Sequence, residues 1–120
     1  MNKSMASKIS TSLIISTYNR SDALELCVKS VLRQSLLPDE IIIADDGSKE
    51  ETGELIHQLA TTSVVPIIHV WHEDLGFRLA TIRNKAIVKA TKEYIIQIDG
   101  DIVLHKDFVK DHVRLSLIHI

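Results

Sequence analysis

Four short runs rich in isoleucine, leucine and valine, separated by segments with helical periodicity and each ending in a polar cluster, constrain this chain more than any other feature. Residues 10–16 (STSLIIS), 40–44 (EIIIA), 66–71 (PIIHVW) and 94–98 (YIIQI) read as buried strands. Three consecutive isoleucines at 41–43 leave that run no polar face, as a central parallel strand requires. Between the runs, Leu24, Cys27, Val28, Val31 and Leu32 recur at helical spacing. So do Thr52, Leu55, Ile56 and Leu59, and then Leu79, Ile82, Ala86, Ile87 and Ala90. Asp22 and Glu25 are spaced as a capping box for the first helix, and Pro38 ends the connection after it. The β-α-β-α-β-α-β order implies right-handed crossovers and a three-layer α/β/α sandwich, its Rossmann-like, mainly parallel sheet covered on both faces.

Composition limits what such a sheet can serve. With 120 residues, 45% of them hydrophobic, and a formal charge of −2, the chain has material for one domain and one modest core. It is not a disordered segment, a collagen-like repeat or a disulfide scaffold. No Lys/Arg block is present, so duplex nucleic acid, which is bound by clustered cations that displace counterions, is not an expected partner. The single cysteine, Cys27, falls at an apolar helical position and reads as a small buried hydrophobe in a reducing compartment. Residues 1–8 (MNKSMASK) lack the apolar core of a signal peptide and read as a flexible N-terminus; no run approaches the ~20 apolar residues of a membrane span. The expectation is a soluble, cytoplasmic protein, with a peripheral place at the inner membrane face compatible with it.

In an open parallel sheet the loops at the carboxyl ends of the strands share one edge, and ligands bind there where the strand order reverses. Each chemically distinctive cluster follows a strand: Thr17-Tyr18-Asn19-Arg20, Asp45-Asp46-Gly47-Ser48, His72-Glu73-Asp74 and Asp99-Gly100-Asp101. Asp99 and Asp101 repel one another unless neutralised, and a hard cation such as Mg²⁺ or Mn²⁺, shared with a phosphorylated substrate, would do so. The plain alternative is a solvated turn in which Asp99 caps a helix. Asp45 and Asp46 likewise fit either a capping turn or a ligand site, and two acidic clusters on one edge favour a bound group at Asp45, Asp46, Asp99 and Asp101. Tyr18 offers a ring face for stacking; Thr17 and Asn19 offer donors and acceptors. Arg78 and Arg83 suit a diphosphate or a surface ion pair.

Other chemistries are excluded by position. His69 and His72, three apart at a strand end, tend to opposite faces and make no zinc pair, while His105 and His112 read as surface or packing residues. Ile102, Val103 and Leu104 occupy places where an EF-hand needs ligands. Four glycines, at 47, 53, 76 and 100, build neither a Walker A loop nor a dinucleotide fingerprint. A receiver domain or a haloacid-dehalogenase-type phosphatase would need acidic residues after the first strand, where Thr17-Tyr18-Asn19 stands.

Taken in order, SLIISTYNR (12–20), ADDGS (44–48), HEDLGFRLATIRNKAI (72–87) and DGD (99–101) resemble the motifs of the family-2 glycosyltransferases of the GT-A type. The third segment is similar to one found near the bacterial chondroitin polymerases, whose donor is commonly a UDP-sugar. The resemblance implies that Thr17, Tyr18, Asn19 and Asp46 lie around the nucleobase. It places Asp99 at the ribose and metal and Asp101 on the metal, Mn²⁺ or Mg²⁺, that bridges the diphosphate. Arg83 and Asn84 match the family's Arg-Asn pair near the nucleotide. The implied reaction is inverting transfer from a UDP-sugar to a saccharide or other hydroxyl acceptor, with the general base supplied by a segment beyond Ile120. Residues 9–114 would then be the nucleotide-sugar-binding part of an incomplete GT-A domain, and 115–120 an irregular or non-family end.

Two other readings compete: a nucleotide-binding module without transfer activity, and a metal-dependent sugar nucleotidyltransferase, which ordinarily wants a Gly-rich loop after the first strand. An unpaired edge beside the fourth strand is expected to favour a homodimer.

Overall fold

The computed structural model describes residues 9–118, with side chains through residue 115. Eight elements alternate: β1 (Thr11–Thr17), α1 (Ser21–Leu32), β2 (Glu40–Asp45), α2 (Glu50–Thr62), β3 (Ile67–Trp71), α3 (Leu79–Lys89), β4 (Tyr94–Asp99) and α4 (Phe108–Ile118). All strand pairings are parallel, in the order β3-β2-β1-β4. The chain adds β2 and β3 outward on one side of β1 and then returns to lay β4 on the other. The strand order therefore reverses between β1 and β4, which opens a crevice at their carboxyl ends.

The period of two divides the core in two. Leu13, Ile15, Ile41, Ile43, Ile96 and Ile98 face one layer, where Leu24, Cys27, Val28, Val31, Ile56, Val109 and Val113 cover them. Ile14, Ile42, Ala44 and Val70 face the other, packed by Ile82 and Ala86 of α3. Three helices thus cover one face and a single helix the other. The sheet is not covered evenly on both faces: α3 reaches β1, β2 and β3, and on its side of β4 Ile95 is 36% exposed and Gln97 is also exposed. At the amino ends of the strands, buried Glu40 accepts hydrogen bonds from Ser12 Oγ (2.6 Å) and Thr91 N (2.9 Å), tying the α3–β4 connection to the sheet.

Two local expectations are corrected. Helix α1 starts at Ser21 with Arg20 at the cap and no side-chain capping bond, so Asp22 and Glu25 form no capping box. Asp22 lies inside the first turn and pairs with Arg20 (3.6 Å), while Glu25 pairs with Lys29 one turn on (2.9 Å). At the other end, α4 continues through residues 115–118, which are helical rather than irregular. Residues 1–8 and 119–120, where a flexible start and the last of the irregular end are expected, lie outside the described residues. Among the described residues no helix is long and apolar enough to cross a membrane.

Candidate functional site

A cleft of about 320 Å³ opens at the β1/β4 reversal, lined by Ser16, Thr17, Tyr18, Asp46, Asp99, Gly100 and Asp101 together with Asp74, Gly76 and Phe77 of the β3–α3 loop. Its floor is fixed by backbone. Gly100 N donates to Ser16 O at 2.7 Å, and Asp46 N donates to Thr17 O at 3.0 Å, so the loops after β4 and β2 are both pinned to the end of β1. Gly100 is required by this approach, since a Cβ there would stand 2.6 Å from the Ser16 carbonyl oxygen. Gly47, at φ +83°, lies against the backbone of Asp74, which a Cβ would meet at 2.5 Å.

Asp45 and Asp46, adjacent in sequence, serve opposite faces, because successive strand residues point to opposite sides. Asp45 is fully buried, accepts from Ser48 N (2.9 Å) and pairs with His69 Nε2 (2.8 Å) on the α2 side. It does not reach the cleft. Asp46 is 3% exposed, and its two oxygens pair with His72 Nε2 (2.6 Å) and accept from Arg78 N (2.9 Å). Lys85 Nζ meets His72 Nδ1 at 3.2 Å. An ammonium only donates, so Nδ1 is the acceptor and Nε2 carries the proton that faces Asp46. Asp99 accepts from Arg83 (2.8 Å) and from Ser16 Oγ (3.2 Å).

The expectation that carboxylate repulsion at this edge requires a bound group is therefore corrected. Asp45, Asp46 and Asp99 each have a partner of their own in His69, His72 and Arg83. Asp101 is exposed and makes no hydrogen bond or ion pair among the described residues. His69 and His72 point to opposite faces, and each pairs with an aspartate, Asp45 and Asp46 respectively.

Two features mark the cleft for a ligand. Thr17 Oγ1 is buried and has no hydrogen-bond partner among the described residues, although a buried hydroxyl is ordinarily satisfied. Tyr18 Oη donates to Asp74 Oδ2 across the cleft mouth at 2.8 Å. That bond holds the Asp74 carboxyl below its ordinary range, and the carboxylate in turn pushes the Tyr18 phenol up. Phe77, 88% exposed, stands on the same rim.

Of the residues picked out in the sequence, Thr17, Tyr18, Asp46, Asp99 and Asp101 come together here. Arg83 reaches the cleft through Asp99. Asn19 and Asn84 do not line it. Asn19 sits at φ +49° and braces two loops, its N–H donating to Ser48 Oγ and its Oδ1 accepting from Lys49 N, each at 2.8 Å. Asn84 is exposed on α3. Sequence reasoning missed Ser16, Asp74 and Phe77 as lining residues and the His72–Lys85 support of Asp46; an acidic residue at a strand end, with a histidine ending the next strand, is the available signal for the last.

As a cation site the cleft offers two carboxylates, Asp99 and Asp101, on one turn. Among the described residues no three His, Cys, Asp or Glu side chains converge into a protein cage. An open, oxygen-only pair fits a hard divalent cation that completes its shell with phosphate and water.

Residues 12–116 match the family model described as glycosyl transferase family 2. The chain is 31% identical over 105 residues to the chondroitin synthase of Escherichia coli, covering 87% of this chain and 15% of that protein. It is 29% identical over 101 residues to the validoxylamine A glucosyltransferase of Streptomyces hygroscopicus subsp. limoneus, covering 82% of this chain and 22% of that one. The chain thus spans less than a quarter of either relative. Its fold is shared with S. aureus TarS 1-349 in complex with UDP, at a TM-score of 0.74 and 22% identity over 92% of this chain and 33% of the other. It is also shared with the mannosyltransferase PcManGT from Pyrobaculum calidifontis in complex with GDP-Man and Mn²⁺, at 0.68 and 24% over 78% and 28%.

Proposed function

This chain belongs to glycosyl transferase family 2, and from that premise we propose that its β1/β4 cleft binds the nucleoside diphosphate of a UDP-sugar for inverting transfer to a saccharide or other hydroxyl acceptor. The single observation that carries the reading is the unsatisfied, buried Thr17 Oγ1 in a cleft that also gathers Asp46, Asp99 and Asp101 at the reversal of strand order.

In this reading Tyr18 lends a ring face to the base, and Asp46, immobilised by His72 and Arg78 N, keeps its remaining acceptor capacity for a ligand N–H or O–H. Asp99 faces the ribose, held in place by Arg83. Asp99 and Asp101 would hold Mn²⁺ or Mg²⁺. That ion, when bound, stabilises negative charge on the departing diphosphate as a Lewis acid. Inversion needs a base to take the acceptor's proton. Asp46 and Asp99 are engaged with their own partners, Asp74 with Tyr18, and Asp101 is assigned to the cation, so we place that base outside residues 9–118.

Calorimetric titration with UDP in the presence of Mn²⁺, run beside a sugar-transfer assay, tests the reading. Saturable binding supports the donor site, and binding without turnover identifies the chain as a nucleotide-binding module in isolation. Absence of binding refutes it.

A further inference from the structure

The layer opposite α3 carries a second depression, which the proposed reaction does not use. It opens between the first turns of α2 and the carboxyl end of β3, has a volume of about 620 Å³, and is lined by Asp45, Gly53, Glu54, His57, His69 and Trp71 among others. Trp71 is 52% exposed, and its Nε1–H donates to Ser48 O at 3.0 Å, so the indole is held at a fixed angle to the groove. A lone exposed tryptophan is ordinary; one locked by its only donor with its apolar body at a groove wall is a platform.

His69 is fixed in the same way. The fully buried Asp45 carboxylate only accepts, so His69 Nε2 carries the proton of their 2.8 Å contact and the ring is held at the groove wall. Gly53 lies within α2, where glycine is among the poorest helix formers. A Cβ there would stand 3.8 Å from His69 Cε1, and any longer side chain would extend over the imidazole. The helix thus carries its least favourable non-proline residue where a larger one would fill the groove.

An oriented aromatic ring surrounded by side chains that both donate and accept matches a pyranose, which has an apolar C–H face and a rim of hydroxyls. Glu50, Glu54 and Asp45 against the single Lys49 make the groove unfavourable to phosphates and uronates. We propose that this groove binds a neutral saccharide segment, at a site separate from the nucleotide cleft. The inference rests on the groove's own residues and stands whether or not the cleft takes UDP.

Trp71 is the chain's one tryptophan, so its fluorescence reports the groove directly. Titration with chitotetraose and with maltotetraose is expected to shift the emission of at least one saturably, and a hyaluronan tetrasaccharide, which is anionic, to bind at least about tenfold more weakly. Gly53→Leu is expected to weaken the neutral saccharide about tenfold or more while leaving UDP affinity, measured by calorimetry, unchanged. Should Gly53→Leu not fold, His57→Ala, an exposed position, is expected to weaken the same titration. No saturable shift with either neutral sugar overturns the proposal, as does equal or tighter binding of the hyaluronan tetrasaccharide. An undiminished response in the folded variant overturns it too.

Discussion

Replacing His72 by leucine should cost this protein far more than a surface histidine would. His72 is 7% exposed and Asp46 3%, and their contact is 2.6 Å. Leucine keeps the volume and removes the donor, leaving one oxygen of a buried carboxylate with nothing but Arg78 N on the other. Orphaning a buried polar group costs about 1–3 kcal/mol, and breaking a buried ion pair about 3–5 kcal/mol. The contact is a hydrogen bond to a buried carboxylate, so the loss is placed where the two ranges meet, at about 3 kcal/mol. For a domain of this length that corresponds to a fall in Tm of roughly 10 °C. His72→Gln restores a donor and should recover at least half of the loss. A double-mutant cycle with Asp46→Asn in urea unfolding should give a coupling of about 1–3 kcal/mol. Because Asp46 lines the cleft, UDP affinity should fall with stability in His72→Leu and recover with it in His72→Gln. A loss below about 0.5 kcal/mol, typical of a surface site, or a glutamine variant no better than leucine, would refute the argument.

Asp101→Asn, at an exposed residue without a partner among the described residues, should leave unfolding unchanged within about 0.5 kcal/mol and weaken Mn²⁺-dependent UDP binding at least tenfold by calorimetry. Gly100→Ala forces a Cβ to 2.6 Å from the Ser16 carbonyl; overpacking of this kind costs about 1–3 kcal/mol, and the β1–β4 hydrogen bond it disturbs adds about 1 kcal/mol, so Tm and UDP affinity should drop together. Burial, aided by the Asp101 charge, pushes the Cys27 thiol from its ordinary 9.0 up to about 11. The folded state then holds a proton that the unfolded chain releases, so stability should be intact below pH 9 and decline between there and pH 11. Cys27→Ala should flatten that decline in urea titrations at stepped pH.

The order of elements and the parallel sheet were legible because the 41–43 isoleucine run and the helical stripes are period signals that survive without tertiary context. The position of the cleft followed from topology alone, as did the convergence of Thr17, Tyr18, Asp46, Asp99 and Asp101. What stayed hidden was pairing across the sheet. Asp45 and Asp46 look like one acidic cluster in the sequence, yet a one-residue step sends them to opposite faces, and each meets a histidine some two dozen residues away that spacing could not assign. Asn19 reads as a ligand contact because its amide can bind a base; its φ of +49° and its bonds to Ser48 and Lys49 give it a bracing role that spacing could not show. The capping box failed because the helix begins at Ser21, one residue before Asp22, with Arg20 at the cap position.

Paramagnetic broadening tests most directly whether the β1/β4 cleft is a metal-nucleotide site. With ¹⁵N-labelled protein and saturating UDP, substoichiometric Mn²⁺ should erase the amides of residues 99–101 first and those of 16–18 and 46 next, and leave residues 53–57 and 69–71 sharp. Broadening centred on Asp45 and His69, or broadening at residues 99–101 that is the same without UDP and in Asp101→Asn, would contradict it.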